Sequence, residues 1–164
     1  MKKHNIVDEI SIKMLANQNN FSNYEEELID ELKLFDNLDV QGSDGRTVLI
    51  HASVYGYYNT VKFLIEKKAD ISIKDKVGYT ALHAAVSANN YLIAELLLNC
   101  KAQVDELDIF GNTPLFRTSH LYKDMIILLL KYGANPFLKN DYGISPYDVY
   151  QSYDDIIKLF DAIK

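Results

Sequence analysis

The sequence predicts an all-α solenoid, a fold made by stacking copies of one helical hairpin. The first observation is a row of glycines, Gly45, Gly78, Gly111 and Gly143, which are spaced 33, 33 and 32 residues apart in the 164-residue chain. The second observation is an apolar block that recurs in the same phase, at residues 63–71, 96–104 and 129–136. Two features with one common period are typical of a supersecondary unit that is repeated along the chain.

The residues that follow each glycine predict the start of a helix. Two positions after the glycine stands a Thr or Ser, whose hydroxyl is a good N-cap for the free N–H groups of a first helical turn. These N-caps are Thr47, Thr80, Thr113 and Ser145. The residues two positions further on should stack into one continuous core, because a single repeat cannot bury its own apolar face. They are Leu49, Leu82, Leu115 and Tyr147.

The second full unit carries a family resemblance. Residues 75–85 read DKVGYTALHAA and resemble the first half of the ankyrin repeat, D-x-x-G-x-T-P-L-H-x-A-A, with Ala81 in place of proline. The apolar block is similar to the second half of that repeat, L-L-x-x-G-A-D-V. The resemblance covers about residues 42–164 and implies a stack of about five helix-turn-helix units joined by hairpin-like loops. His83 occupies the family's usual histidine position, where we expect a structural hydrogen bond.

We interpret the chain as one domain with degenerate ends. Residues 1–41 are predicted to form a divergent N-terminal capping helix pair, and residues 140–164 a C-terminal capping repeat. Between them lie three full repeats, at residues 42–74, 75–107 and 108–139. The third of these is one residue short, most simply by a deletion within 119–121, so its inter-helix turn should differ locally.

The two ends have helical patterns of their own. Apolar residues with helical spacing open the chain, at Ile6, Val7, Ile10, Met14 and Leu15. The segment Ser22–Glu25 has a capping-box pattern that predicts a second helix, which runs to about Phe35. At the other end one apolar side is expected, made of Ile156, Ile157, Leu159, Phe160 and Ile163.

The sequence offers no arrangement that is typical of catalysis, a cofactor or a metal. The four histidines are His4, His51, His83 and His120, and no two of them have a metal-binding spacing. Glycine motifs that cradle phosphate are absent as well. The lone Cys100 follows an apolar run and is interpreted as an inert, partly packed thiol. We therefore expect no catalytic, cofactor-binding or metal-ligating residues.

The net charge of −6 is confined to one part of the chain. Residues 1–44 hold ten acidic residues and four lysines, and the other 120 residues hold 13 charges of each sign. Because no basic stripe could neutralise phosphates, nucleic acid is not an expected partner. No run reaches the roughly 18 apolar residues of a membrane helix, and the N-terminus does not resemble a secretory signal. We expect no membrane association and a cytoplasmic location.

An acidic run in the N-terminal helix pair has two open interpretations. It comprises Glu25, Glu26, Glu27, Asp30 and Glu31. These residues either form a solvated helix face near the positive end of a helix dipole, or an electrostatic patch that steers a basic partner.

The turn tips beside the glycines are the candidate site. In the ankyrin family these tips and the outer ends of the first helices form the concave recognition surface. The candidate partner-binding residues are Tyr55, Lys76, Val77, Tyr79, Ile109, Phe110, Asn112, Tyr142 and Ile144. Aromatic side chains flanked by polar ones are common in interface hot spots. The alternative is that the tip aromatics only pack on neighbouring turns.

These features favour a non-enzymatic module that binds a partner protein through its concave face and turn tips. More specific alternatives are an immunity protein that neutralises a toxin and an effector that engages host proteins. A less favoured one is an accessory subunit that positions an enzyme. All of these roles share one fold, and a fold alone does not decide between functions.

Overall fold

A computed structural model describes residues 6–17 and 21–163, and within these residues all regular structure is helical. The elements are α1 (Ile6–Ala16), α2 (Phe21–Leu32), α3 (Val48–Tyr55), α4 (Tyr58–Glu66), α5 (Ala81–Ser87), α6 (Tyr91–Asn99), a 3-10 turn (Leu115–Arg117), α7 (Lys123–Lys131), α8 (Pro146–Val149) and α9 (Asp154–Asp161). The predicted all-α fold class is confirmed. In the described part of the chain, no helix has the length and apolarity that a membrane span requires. His4 lies outside the described residues.

The helices lie in two layers. In the first layer α1 contacts α3, α3 contacts α5, and α5 contacts the 3-10 turn; in the second layer α2, α4, α6 and α7 contact one another in that order. Equivalent leucines of successive units are buried between the layers, at Leu49, Leu82, Leu115, Leu64, Leu97 and Leu129. The fourth position of the first series, Tyr147, is only partly buried and packs against Phe137 and Phe160. Stacking therefore builds one continuous core, as expected of a solenoid.

The predicted N-caps form at each turn. The Thr47 hydroxyl accepts the Ile50 N–H at 3.3 Å, and the Thr113 hydroxyl accepts the Phe116 N–H at 3.3 Å. In two units the third helical residue also bonds back to the N-cap, which completes a capping box. The side chains that do so are His83, on Thr80, and Asp148, on Ser145. The structural hydrogen bond expected of His83 is thus confirmed.

The first helix of the third repeat is shorter than the sequence suggested. We expected the missing residue to alter only the inter-helix turn, but the whole helix is reduced to the 3-10 turn Leu115–Arg117. After it the backbone of Thr118 is extended, and the Thr118 hydroxyl donates to the Leu115 carbonyl at 2.6 Å. The missing residue is thus accompanied by loss of the first α-helix of this repeat and not by a changed turn alone.

The predicted capping box falls partly outside the side chains that the structure describes, which begin again at Tyr24 after the break at 18–20. Helix α2 begins at Phe21, and no acidic residue falls in its first turn. Glu25 is buried and accepts hydrogen bonds from Asn59 Nδ2 at 2.8 Å and from the Thr60 N–H at 3.1 Å. Because α4 has no side-chain N-cap of its own, Glu25 serves as its cap from the neighbouring unit.

Three residues at or just beyond helix ends are exposed: Leu15, Ile163 and Cys100. In α1 the buried face is Val7, Ile10 and Met14, and Leu15 is exposed because the next helical position points away from that face. Ile163 lies beyond the end of α9 and is also exposed. Cys100 follows the last residue of α6 and is exposed, so it is not the partly packed thiol that the sequence suggested.

Candidate protein-binding surface

Four tight turns, here called the tips, precede the first helices, at residues 42–46, 75–79, 108–112 and 140–144. In the second tip Asp75 Oδ1 accepts the Val77 N–H at 3.0 Å and the Tyr79 N–H at 2.9 Å. Asp108 and Asn140 accept the equivalent pairs of N–H bonds in the next two tips, at 2.8–3.1 Å. In each of these three turns a short side chain accepts the N–H groups of the residues two and four positions later. These bonds hold the turn in shape.

The first tip is completed by the N-terminal helix pair. Gly42 stands where Asp75 stands in the second tip, so it has no side chain to hold the turn. Asp8 of α1 supplies one instead, and its Oδ1 accepts the Ser43 N–H at 2.8 Å. A Cβ at Gly42 would lie 2.5 Å from that oxygen. A larger residue here would therefore displace the Asp8 carboxylate from the first tip.

Backbone hydrogen bonds of 3.1–3.2 Å join each tip to the next. They run from the Lys76 N–H to the Asp44 carbonyl, from the Ile109 N–H to the Val77 carbonyl, and from the Asp141 N–H to the Phe110 carbonyl. Gly78 has φ +81°, and a Cβ there would lie 2.7 Å from the Ile109 nitrogen. The tips therefore form one continuous edge rather than four independent loops.

Five of the predicted contact residues form an exposed apolar row on this edge, here called the tip ridge. They are Val77, Ile109, Phe110, Tyr142 and Ile144, with exposed fractions between 41% and 71%. They come from three consecutive tips, and the predicted Lys76 is exposed beside them. Apolar side chains on a hydrogen-bonded, ordered edge are well suited to binding because little conformational entropy is lost on association.

Two predicted contact residues have inward-facing roles. Asn112 is buried; it donates to Asp108 Oδ1 at 3.3 Å and accepts a hydrogen bond from Asn140 Nδ2 at 2.8 Å. It therefore links the third and fourth tips and is removed from the contact set. Tyr55 is partly buried, and its ring stacks on His51 with centroids 6.2 Å apart. Tyr55 thus covers the buried His51, and its contact with a partner stays a prediction.

A second feature lies beside the tips and was not among the predicted residues. Arg46 and Arg117 each bond through Nε to a buried tip aspartate, Arg46 to Asp75 Oδ2 at 3.0 Å and Arg117 to Asp108 Oδ2 at 2.9 Å. Arg117 also lies over the ring of Tyr79, with its Cζ 5.2 Å from the ring centroid. Arg46, Tyr79 and Arg117 are here called the groove wall.

Tyr79 combines both interpretations that the sequence left open. It is partly exposed, as a contact residue must be, but its ring also stacks on His83 at 5.2 Å. The Tyr79 ring is therefore packed between His83 and Arg117 within this chain. Burial raises the pKa of the Tyr79 hydroxyl above its ordinary value, so the group stays neutral and able to donate.

The sequence contained one signal for the groove wall. Of the 17 basic residues only two are arginines, and both form part of this wall. Arg46 stands at the tip position that Tyr79 occupies in the next unit. Arg117, by contrast, comes from the shortened helix of the third repeat, so its place beside Asp108 could not be read from the repeat pattern.

The pKa shifts beside the groove wall keep Asp108 charged and His83 neutral. Burial raises the pKa of Asp108, but hydrogen bonds from Arg117 and from the Asn112 and Phe110 N–H groups outweigh it, and the net pKa is below its ordinary value. Burial lowers the pKa of His83, which keeps its capping ring neutral. In the described ranges no group of three or more His, Cys, Asp or Glu could hold a metal ion. The chemistry that this surface offers is recognition by hydrogen bonds and apolar contact.

The acidic run of the N-terminal pair is smaller than its sequence suggests. Glu25 is buried, and Glu31 and Asp30 form ion pairs with Lys13 at 3.2 Å and Lys33 at 2.7 Å. The two other glutamates of the run are exposed. A steering patch for a basic partner therefore stays a prediction that depends mainly on these two glutamates.

Comparison with known proteins agrees with this architecture. The family model for ankyrin repeats (three copies) matches residues 2–75 and 68–140. Inversin of Danio rerio is 38% identical over 73 residues, the human palmitoyltransferase ZDHHC17 34% over 101 residues, and the mouse protein fem-1 homolog A-like 33% over 82 residues. These alignments cover 43%, 59% and 50% of the chain but only 7%, 16% and 12% of those proteins. Because the family model matches most of the length of this chain, the chain belongs to the ankyrin repeat family.

Proposed function

We propose that this chain binds a partner protein through the tip ridge and the adjoining groove wall, without catalysing a reaction. Ankyrin repeats are protein-interaction modules whose stacked units present an extended binding surface. The observation that carries the proposal is the tip ridge, five exposed apolar side chains on three tips that are hydrogen-bonded to one another.

The composition of this face supports a protein partner. Interface cores are enriched in aromatic residues and arginine, and hot spots in Trp, Tyr and Arg. The ridge and the wall together bring Phe110, Tyr142, Tyr79, Arg46 and Arg117 to one side of the stack. A contiguous exposed apolar patch of this kind is typical of an interaction site.

The test is a quantitative pull-down from cells of the source organism, followed by reconstitution with the purified partner. The ridge variant carries Ile109→Ser, Phe110→Ser and Tyr142→Ser, three changes at exposed positions. Loss of hot-spot contacts should weaken binding of the reconstituted partner by at least about tenfold. An unchanged affinity would refute the ridge as the binding surface.

A matched control separates the ridge from apolar exposure in general. Ile12→Ser, Leu92→Ser and Leu121→Ser also remove three exposed apolar side chains, which belong to α1, α6 and the segment before α7 and not to the tips. We expect this variant to bind the partner as the parent chain does. Circular dichroism of both variants should show the same helix content, so that a loss of binding reports the surface and not the fold.

The biological role is a finer question within this proposal. A toxin-neutralising immunity protein, a host-directed effector and an accessory subunit that positions an enzyme all require such a surface. The partner captured in the pull-down decides among them: a toxin supports the first, a host protein the second and an enzyme subunit the third.

A further inference from the structure

We infer that the groove wall binds carboxylates of an acidic, apolar segment in the partner, with Arg46 and Arg117 as its two anion-binding groups. The inference rests on the proposed function, because it concerns the partner of that same face. It starts from one observation: the chain has only two arginines, and each is held by a buried tip aspartate, Arg46 by Asp75 and Arg117 by Asp108.

Arg46 is oriented by Asp75, an aspartate that is buried and fixed by its own bonds to the second tip. Asp75 is only 2% exposed, its Oδ1 holds the second tip, and its Oδ2 accepts the Arg46 Nε–H. The arginine itself is 29% exposed. The other acid nearby is Asp44, whose Oδ2 lies 3.6 Å from the same Nε. The Arg46 side chain is therefore held at its Nε, and part of it stays accessible to solvent.

Arg117 is held in the same way by a different unit. Asp108 is completely buried and accepts hydrogen bonds from both Nε and Nη2 of Arg117, while the arginine is 27% exposed. The Cζ atom of Arg117 also lies 5.2 Å from the centroid of the Tyr79 ring, within the range of a favourable cation–π interaction. Among the residues that the structure describes, Nη1 of Arg117 and both terminal nitrogens of Arg46 form no hydrogen bond.

Two oriented guanidinium groups suit carboxylates on a protein. The planar fork of N–H donors matches a carboxylate, and a side chain that is already fixed loses little entropy on binding. Nucleic acid fits poorly, because two phosphate contacts are few for binding that depends on neutralising many phosphates. The neighbouring tip ridge is apolar, so the segment that fits both features alternates acidic and apolar residues.

The first test selects ligands without assuming their sequence. The immobilised chain is used to select from random dodecapeptides displayed on phage, and the residue frequencies of the binders are compared with those of the starting library. We expect Asp and Glu to be enriched beside Leu, Ile and Phe. Binders with no acidic enrichment would overturn this inference and leave the proposed function standing. A selection without binders would also overturn it, and the pull-down would then decide the proposed function independently.

The second test observes the arginines directly in the unmodified chain. With two arginines in the sequence, an NMR spectrum of their Nε–Hε groups contains two signals. The best acidic binder should shift both signals, and its isostere with Asn and Gln in place of Asp and Glu should bind at least about tenfold more weakly. Equal affinity of the two peptides, or shifts of neither signal, would contradict the inference.

Variants then separate an oriented fork from charge alone. Arg46→Lys and Arg117→Lys keep the charge but lose the fork, and each should weaken the acidic peptide by about fivefold or more. Asp44→Asn removes the competing carboxylate and should tighten binding. Lys62→Gln removes one positive charge on α4 and should leave affinity unchanged. Wild-type affinity in both lysine variants would overturn the assignment, and thermal melts establish that each variant is folded.

Discussion

The second and third repeats have nearly the same tip but different first helices. Asp75 and Asp108 hold their turns with the same pair of backbone hydrogen bonds. After the tip, one chain segment forms the seven-residue helix α5, and the other only the 3-10 turn Leu115–Arg117. The tip geometry is thus set locally by one acidic side chain and does not depend on the helix that follows it.

The third repeat replaces lost helical hydrogen bonds with side-chain bonds. Tyr150 from the following unit donates its hydroxyl to the Thr118 carbonyl at 2.6 Å, and Thr118 in turn bonds to Leu115. The shortened helix also brings Arg117 against Asp108. The difference teaches that a deletion inside a repeat can be tolerated by its neighbours and can create a new surface group at the same time.

The largest expected effect comes from replacing the aspartates that hold the second and third tips. Asp108→Ala should lower the free energy of unfolding by about 3 kcal/mol, because it removes a buried ion pair as well as the turn bonds. Asp75→Ala should cost about 2 kcal/mol, since Arg46 also has Asp44 nearby. Urea denaturation measures both values. Equal losses would mean that the Arg117 contact adds nothing to the stability of the third repeat.

The next effect concerns the docking of the second tip on the third. Gly78→Ala combines a positive φ with a Cβ 2.7 Å from the Ile109 nitrogen, and it should cost about 2–3 kcal/mol. The matched change Gly143→Ala has a similar φ of +74° but no atom within 4 Å. It should cost only the backbone strain, about 1–2 kcal/mol. Thermal melts that rank the two in the opposite order would refute the backbone contact between tips.

Acid should weaken the first two full repeats, which contain His51 and His83, before the third. Burial lowers the pKa of His51 and His83, while the third repeat has Phe116 at the position of His83. Between the lowered pKa and the ordinary value near 6.5, the unfolded chain binds more protons, so stability falls as pH falls below that value. The slope is at most about 1.4 kcal/mol per pH unit for each histidine. Urea unfolding of His83→Gln should show a flatter pH profile than the parent chain.

Asp108 provides an internal check on that pH profile. Its pKa lies below the ordinary value, so the stability that it contributes is present at neutral pH and is lost only under more strongly acidic conditions. A loss of stability between neutral pH and about pH 5 therefore reports the histidines. The same loss in a variant that lacks both His51 and His83 would contradict this assignment.

The smallest expected effect concerns the hydrogen bond from the Tyr150 hydroxyl to the Thr118 carbonyl, next to the shortened helix. Tyr150→Phe removes one buried hydrogen bond and should cost about 1 kcal/mol. Faster amide hydrogen exchange should be confined to residues 115–122. The control is Tyr132→Phe, which removes an exposed hydroxyl bond to Asn99 and should change stability little. Faster amide exchange in the second repeat as well would show that the Tyr150 hydrogen bond does not act on the third repeat alone.

Much of the stack could be predicted because its signals are local. A glycine at positive φ, a hydroxyl N-cap and an apolar residue two positions later each act within one turn of chain, and Thr80, Leu82 and His83 lie as the pattern indicated. The tip ridge followed from the same alignment. Asn112 was misplaced because its buried partners, Asp108 and Asn140, include one from another unit.

The sequence by itself determined the all-α class, the period and the position of the tips, because these depend on capping, turn chemistry and repeating apolar faces. Only the tertiary structure decided what bridges the units: Glu25 on the start of α4, Asp8 at the first tip, and Arg117 on Asp108. Each of these contacts joins residues whose pairing depends on how the segments meet in space. The repeat period fixes where a unit begins, whereas packing fixes which charged side chain is buried and which one is exposed.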